Sequence, residues 1–176
     1  RIPLDTKQLA ELVDAACADL HNSVNSSLIL KSTLKDLYDG IPANEVRKSL
    51  ILSARALIEK DPDYSFVTAR LLLHTIRLEA LGENISQKEM ASRYTDYFPN
   101  FIKQGIDAGL LDERLAQFDL TQLAAELDAS RDMQFSYLGL QTLYDRYFLH
   151  INDKRIELPQ AFFMRVAMGL ALNEID

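Results

Sequence analysis

Apolar residues recur at three- and four-residue steps along almost the whole chain, in blocks separated by Asp, Ser, Pro and Gly. That period belongs to helices with one buried face, and the punctuation marks where each begins and ends. A first helix is expected from Asp5 or Thr6, with Leu9, Leu12, Val13, Ala16 and Leu20 on one face. A second, about 27–38, turns Leu30, Leu34 and Leu37 inward and stops at Asp39-Gly40, where glycine can supply a left-handed cap. Pro42 suits the opening turn of a third, about 43–59, whose Val46, Leu50, Ala54 and Leu57 form a stripe. After the turn Asp61-Pro62-Asp63, residues 64–81 make a fourth helix, apolar enough to be the central one, and Gly82 ends it.

The pattern reopens at Ser86-Gln87-Lys88-Glu89, a capping box whose helix should reach about Tyr97. Pro99 and Gly105/Gly109 bracket a further short helix, residues 110–127 supply one or two small ones, and 136–148 a long one. In that long helix Tyr137, Leu140, Tyr144 and Tyr147/Phe148 face the core, while Gln141, Asp145 and Arg146 fall elsewhere on the wheel. The period changes only at His150, where alternation around Asn152-Asp153 fits a two-stranded hairpin. Pro159 then opens a last helix to about Asn173. The fold class is mainly α, a four-helix unit packed on a second helical domain with one small β-hairpin. No Gly/Ser/Pro-rich linker separates the two, so residues 82–86 are read as a tight joint.

Composition adds boundaries. At 48% hydrophobic and 26% charged residues the chain is an ordinary globular one, and its apolar runs stop well short of the roughly 20 residues a bilayer span needs. Arg1-Ile2-Pro3 does not open a signal peptide. The single cysteine, Cys17, offers no intrachain disulfide, which favours a reducing compartment and makes the cytoplasm the expected location. A net charge of −7 argues against general binding to nucleic acid or anionic membrane.

Reactive chemistry is hard to find. His21, His74 and His150 have no metal-ligand spacing, and Arg70 and Arg77 lie within a helical turn of His74, so no metal site is expected. No phosphate-binding glycine loop or nucleophile elbow is present. Asp61 and Asp63 could be imagined as an acid/base pair, but Asp ahead of a helix is better read as a cap on its positive end. Cys17 has no local base and reads as a buried structural thiol. Arg131-Asp132 is expected to tie down the loop entering the long helix. No catalytic residue emerges.

A resemblance takes the reading further. Arg131-Asp132, Phe135-Ser136-Tyr137, Gly139, Thr142-Leu143 and Tyr147-Phe148, with Pro159-Gln160 and Met164-Arg165-Val166-Ala167, are similar to the N-terminal helical region of ribonucleotide reductase large (alpha) subunits. Leu37-Tyr38-Asp39-Gly40-Ile41, Pro62-Asp63-Tyr64 and Ala69-Arg70-Leu71 resemble the later helices of that family's nucleotide-sensing ATP-cone. The resemblance implies an ATP-cone over residues 1–83 and the N-terminal helical domain over 84–176, with the radical-bearing and reductant cysteines in a barrel beginning after Asp176. It also implies ATP and dATP as effectors, a homo-oligomer, and a small subunit that supplies the radical; no cofactor is expected in this stretch.

The cone departs from the family pattern. The chain enters after the family's V-x-K-R-x-G hairpin, at Arg1-Ile2-Pro3-Leu4-Asp5, so Arg1, Ile2, Leu4 and Asp5 are what stands at the edge of the effector loop. Where the family has a nucleotide-contacting Thr the chain has Ala43, and where it has a Lys near the end of the fourth helix the chain has Leu78. Losing that hydroxyl and ammonium removes a polar and a cationic phosphate contact, so the pocket is expected to be degenerate. Two rivals stand beside this reading: a stand-alone regulatory module that borrowed both regions, and an unrelated all-helical interaction protein.

Overall fold

The computed structural model describes residues 4–20 and 23–174. They form two compact units, one ending at Thr75 and joined by Phe135–Gln141, the other made of Ile76–Gln134 and the chain from Thr142 onward.

The first unit opens with α1 (Thr6–Cys17), capped by Asp5, whose Oδ1 accepts the N–H groups of Lys7 and Gln8 at 3.0 Å each. Asn25 caps α2 (Ser26–Asp36) by accepting from the Ser27 N–H. Gly40, at φ +83°, makes the turn toward α3 (Ala43–Arg55), and α2 packs against both α1 and α3. Val13 and Ala16 of α1 and Val46, Leu50 and Ala54 of α3 are buried as their spacing requires. The face of α2 differs from expectation. Ile29 and Thr33 point inward, whereas Leu30 is half-buried and Leu34 exposed. Thr33 can be buried because its hydroxyl donates to the Ile29 carbonyl at 2.9 Å, leaving no polar group unsatisfied. A reading that counts only apolar residues misses it by one position. The third helix also stops early, at Arg55, and residues 56–60 continue as three-residue turns.

Helix α4 (Tyr64–Leu81) is buried on nearly every side, through Val67, Ala69, Leu71, Leu72, Leu73 and Ile76. Packing divides inside it, between Thr75 and Ile76, and not at the Gly82–Ser86 joint that the sequence suggests. The reason lies in its last turns. Arg77 and Glu79 find their partners in the second unit, so the backbone turn at Gly82 (φ +77°) is not where packing changes hands.

In the second unit the Ser86/Glu89 capping box forms as expected, over a 3-10 turn (Gln87–Glu89) that runs straight into α5 (Met90–Asp107). Pro99 sits inside α5 and does not start a new helix. An interior proline costs about 3 kcal/mol, but the stripe Tyr94, Phe98, Phe101 and Ile102 runs through it fully buried. At about 1.5–3 kcal/mol per large apolar side chain, that burial outweighs the lost hydrogen bond. A 3-10 segment (Glu113–Gln117), α6 (Leu120–Ala125) and a second 3-10 segment (Ala129–Gln134) follow. Next come α7 (Tyr137–Arg146), the hairpin strands β1 (His150–Ile151) and β2 (Lys154–Arg155), and α8 (Pro159–Leu170). His150 pairs with Arg155 and Ile151 with Lys154, and Asn152 and Asp153 take the positive φ angles of the tight turn. Phe98, Phe101, Ile102, Leu115, Ile156 and Met168 make the core, with α6 and α8 packed on α5. Leu140 and Phe148 are buried as expected, but Tyr147 is exposed, because α7 ends at Arg146 and its wheel no longer places that ring.

Gly105 lies where α5 meets the returning chain, and a Cβ there would stand 2.5 Å from Leu111 Cδ1 and 2.8 Å from its Cγ. Gly105→Ala is therefore expected to lose about 1–3 kcal/mol through overpacking, read from the urea midpoint, despite alanine's better helix propensity. Among the described residues no helix is long and apolar enough to cross a membrane.

Candidate functional site

Arg1 and Ile2 lie outside the described residues. Leu4 is exposed ahead of α1, and the Asp5 carboxylate is committed to capping that helix. Ala43 is the exposed first residue of α3, offering a methyl group. Leu78 belongs to the second unit, half-buried near the end of α4. Of these positions, those described present neither a hydroxyl nor an ammonium.

Other suspected chemistry resolves into local structure. Asp61 Oδ1 accepts the Asp63 N–H at 2.9 Å, fixing the turn into α4. Arg70 closes the end of α1 by donating to the carbonyls of Ala16 and Ala18. Beside it Cys17 is half-buried, and burial, helped by Asp14 and opposed by Arg70, pushes its thiol up to about 11. The nucleophilic thiolate is scarce at neutral pH. Reaction of Cys17 with a disulfide reagent should be slow at pH 7 and climb toward pH 11; an inflection near the ordinary thiol value would contradict this. Among the described residues no group of three His, Cys, Asp or Glu could hold a metal ion.

The second unit contains three sets of polar side chains placed by distant parts of the sequence. At the first, Asp132 is 2% exposed. Its Oδ1 accepts from Gln160 Nε2 at 2.8 Å, its Oδ2 from the Tyr94 hydroxyl at 2.9 Å and from Arg77 Nη2 at 3.1 Å. Arg77 also donates to Gln87 Oε1, and Gln87 donates to the Ala129 carbonyl, so the loop carrying Asp132 is held at two points. Burial pushes the Asp132 carboxyl up, against the pull of Gln160, Arg77 and Tyr94, and pushes the Tyr94 hydroxyl up as well. The second set centres on Glu157, fully buried, which accepts from Arg165 and from the Leu149 N–H. Tyr97 works beside it, donating to the Ile156 carbonyl and accepting the Leu158 N–H. In the third, Glu79 accepts from the Tyr144 hydroxyl and the Arg155 N–H, while the Arg155 guanidinium lies 4.3 Å from the Tyr144 ring centre.

Each of these acids is spent on internal donors, which rigidifies a core and offers a substrate no free base. Arg131-Asp132 does tie down its loop, as expected, but the two residues part company: Asp132 is interior, and Arg131 makes an exposed pair with Asp128. No motif marks the roles of Arg77, Glu79 and Glu157. The available signal was a charged residue inside an otherwise apolar helix, as Arg77 is beside Leu73 and Ile76.

Residues 133–176 match the family described as ribonucleotide reductase, all-alpha domain. Over 96% of its length the chain is 44% identical to the ribonucleoside-diphosphate reductase subunit alpha of Chlamydia muridarum, covering 16% of that protein. The Helicobacter pylori subunit alpha is 36% identical over 98% of the chain, with 21% of the relative covered. For the ribonucleoside-diphosphate reductase 1 subunit alpha of Escherichia coli the identity is 30% over 98% of the chain, with 22% covered. The chain therefore spans about a fifth or less of the length of these relatives. It belongs to the ribonucleotide reductase large-subunit family and corresponds to that family's N-terminal region.

Proposed function

We propose that this chain is the N-terminal regulatory and structural part of a ribonucleoside-diphosphate reductase alpha subunit, whose reduction of ribonucleotides by thiyl-radical chemistry is carried by polypeptide outside these residues. The observation that carries the reading is the 44% identity across 96% of the chain. The occupied acids of the second unit agree with it, since a support for a reaction centre needs rigidity and no reactive group of its own. On this reading the full subunit works in the cytoplasm as an oligomer with a radical-supplying small subunit. Full-length protein with that subunit and a dithiol reductant should convert a ribonucleoside diphosphate to its deoxy form; failure to do so would overturn the proposal.

Residues 1–83 are, on the same reading, an ATP-cone that has lost its effector. Ala43 and Leu78 stand where the family has a nucleotide-contacting hydroxyl and a cationic phosphate partner, and Asp5 is already used as a cap. Isothermal titration of the full-length protein with ATP and with dATP should give no micromolar binding attributable to this region, and Ala43→Thr with Leu78→Lys should strengthen it. Micromolar binding that survives substitution of the specificity-effector site elsewhere would reverse this part.

A further inference from the structure

Residues 128–134 are held to the second unit by polar contacts more than by packing. Within this stretch only Ala129 and Asp132 are buried; Met133 is half-buried and the rest are exposed. The stretch therefore adds little apolar surface to the core that Phe98, Phe101 and Ile102 occupy. Two anchors fix it instead. The Ala129 carbonyl accepts from Gln87 Nε2 at 2.7 Å, and the Asp132 carboxylate accepts from Arg77, Tyr94 and Gln160.

Both anchors depend on one donor. Arg77 Nη2 donates to Gln87 Oε1 at 2.6 Å and to Asp132 Oδ2 at 3.1 Å. By holding the Gln87 carbonyl oxygen it fixes which way that amide faces, and so aims the Gln87 N–H at Ala129. Loss of either anchor thus loosens the other. Between them the backbone is a 3-10 segment (Ala129–Gln134), whose hydrogen bonds are poorer than those of an α-helix and which has no stability alone.

We propose that residues 128–134 form a strap that opens and closes as one piece while the rest of the second unit stays folded, with Arg77 as the hub that makes its two anchors act together. Segments with few buried apolar contacts are the ones that open ahead of a domain's core. Opening rehydrates both members of the Arg77–Asp132 pair together, so it forfeits less than removing one of them. It also admits water to Arg77 Nε, which is buried without a hydrogen-bond partner while the strap is closed. The strap leads directly into Phe135–Gln141, which belongs to the first unit, so its state sets how much free chain joins the two.

Amide exchange of the full-length protein, resolved to single amides by mass spectrometry with electron-transfer fragmentation, reads the opening. Amides of 128–134 should exchange together, and faster than those of α5 around Phe98. Gln87→Ala tests the hub, because the bonds of Gln87 go to Arg77 and the Ala129 carbonyl. It should quicken the whole strap, Asp132 included, by roughly three- to tenfold, the effect of one ordinary hydrogen bond on an opening equilibrium, and leave α5 unchanged. A change confined to Ala129 and its neighbours, or no change, would show independent anchors and overturn the proposal. So would a strap that exchanges as slowly as α5 in the unaltered protein, or a variant in which both quicken equally, since the unit would then open only as a whole.

Discussion

Asp132→Ala should cost the second unit about 3–5 kcal/mol, the usual penalty for removing one member of a buried ion pair. The Arg77 side chain is 6% exposed and its Nε already lacks a hydrogen-bond partner, so losing the carboxylate strands most of a guanidinium in the interior. Gln160 Nε2 and the Tyr94 hydroxyl lose their acceptor at the same time. Asp132→Asn keeps the shape and one carbonyl oxygen and should lose less, about 1–3 kcal/mol. Arg131→Ala, next door but on the surface, should change stability by less than about 1 kcal/mol. Urea unfolding of the three variants, followed by tyrosine fluorescence, checks the order. Equal losses at positions 131 and 132 would mean that the buried cluster does not hold the loop.

Phe98→Ala should cost a comparable amount, about 3–5 kcal/mol, by a different route. The ring is fully buried on α5, in a row with Phe101 and Ile102, and removing it leaves a void in the core that α6 and α8 close. Because Pro99 follows immediately and breaks the backbone ladder, α5 depends on this packing for its continuity. Amide exchange should therefore quicken on both sides of Pro99 in the variant. Loss of protection confined to one side would mean that the two halves of α5 stand independently.

Helix positions were largely legible because apolar spacing and caps state the same thing twice. Asp5, Asn25 and Asp119 all accept backbone N–H groups where the chain turns into helices. The misses share a cause, which is that tertiary contact overrode a local signal. Local rules make Pro99 a boundary, and only the buried stripe through it argues otherwise. Thr33 carries no apolar signal, yet a backbone bond lets it sit inside. For the polar cluster, Arg77, Tyr94, Asp132 and Gln160 lie 28–66 positions apart in the pairs that meet, and no periodicity links them. The effector positions were readable only through resemblance, since Ala43 and Leu78 are notable for the groups they lack.

The place where packing divides within α4 has a consequence for inheritance. A crossover between genes of two relatives at the glycine turn near residue 82 looks harmless, since it falls in a loop. It would nevertheless pair the arginine of one parent with the aspartate, tyrosine and glutamine of the other, and any mismatch would surface as an unfolded hybrid. Exchange ahead of Ile76 keeps that quartet under one lineage, so viable chimeras should cluster their junctions there and avoid the visible loop.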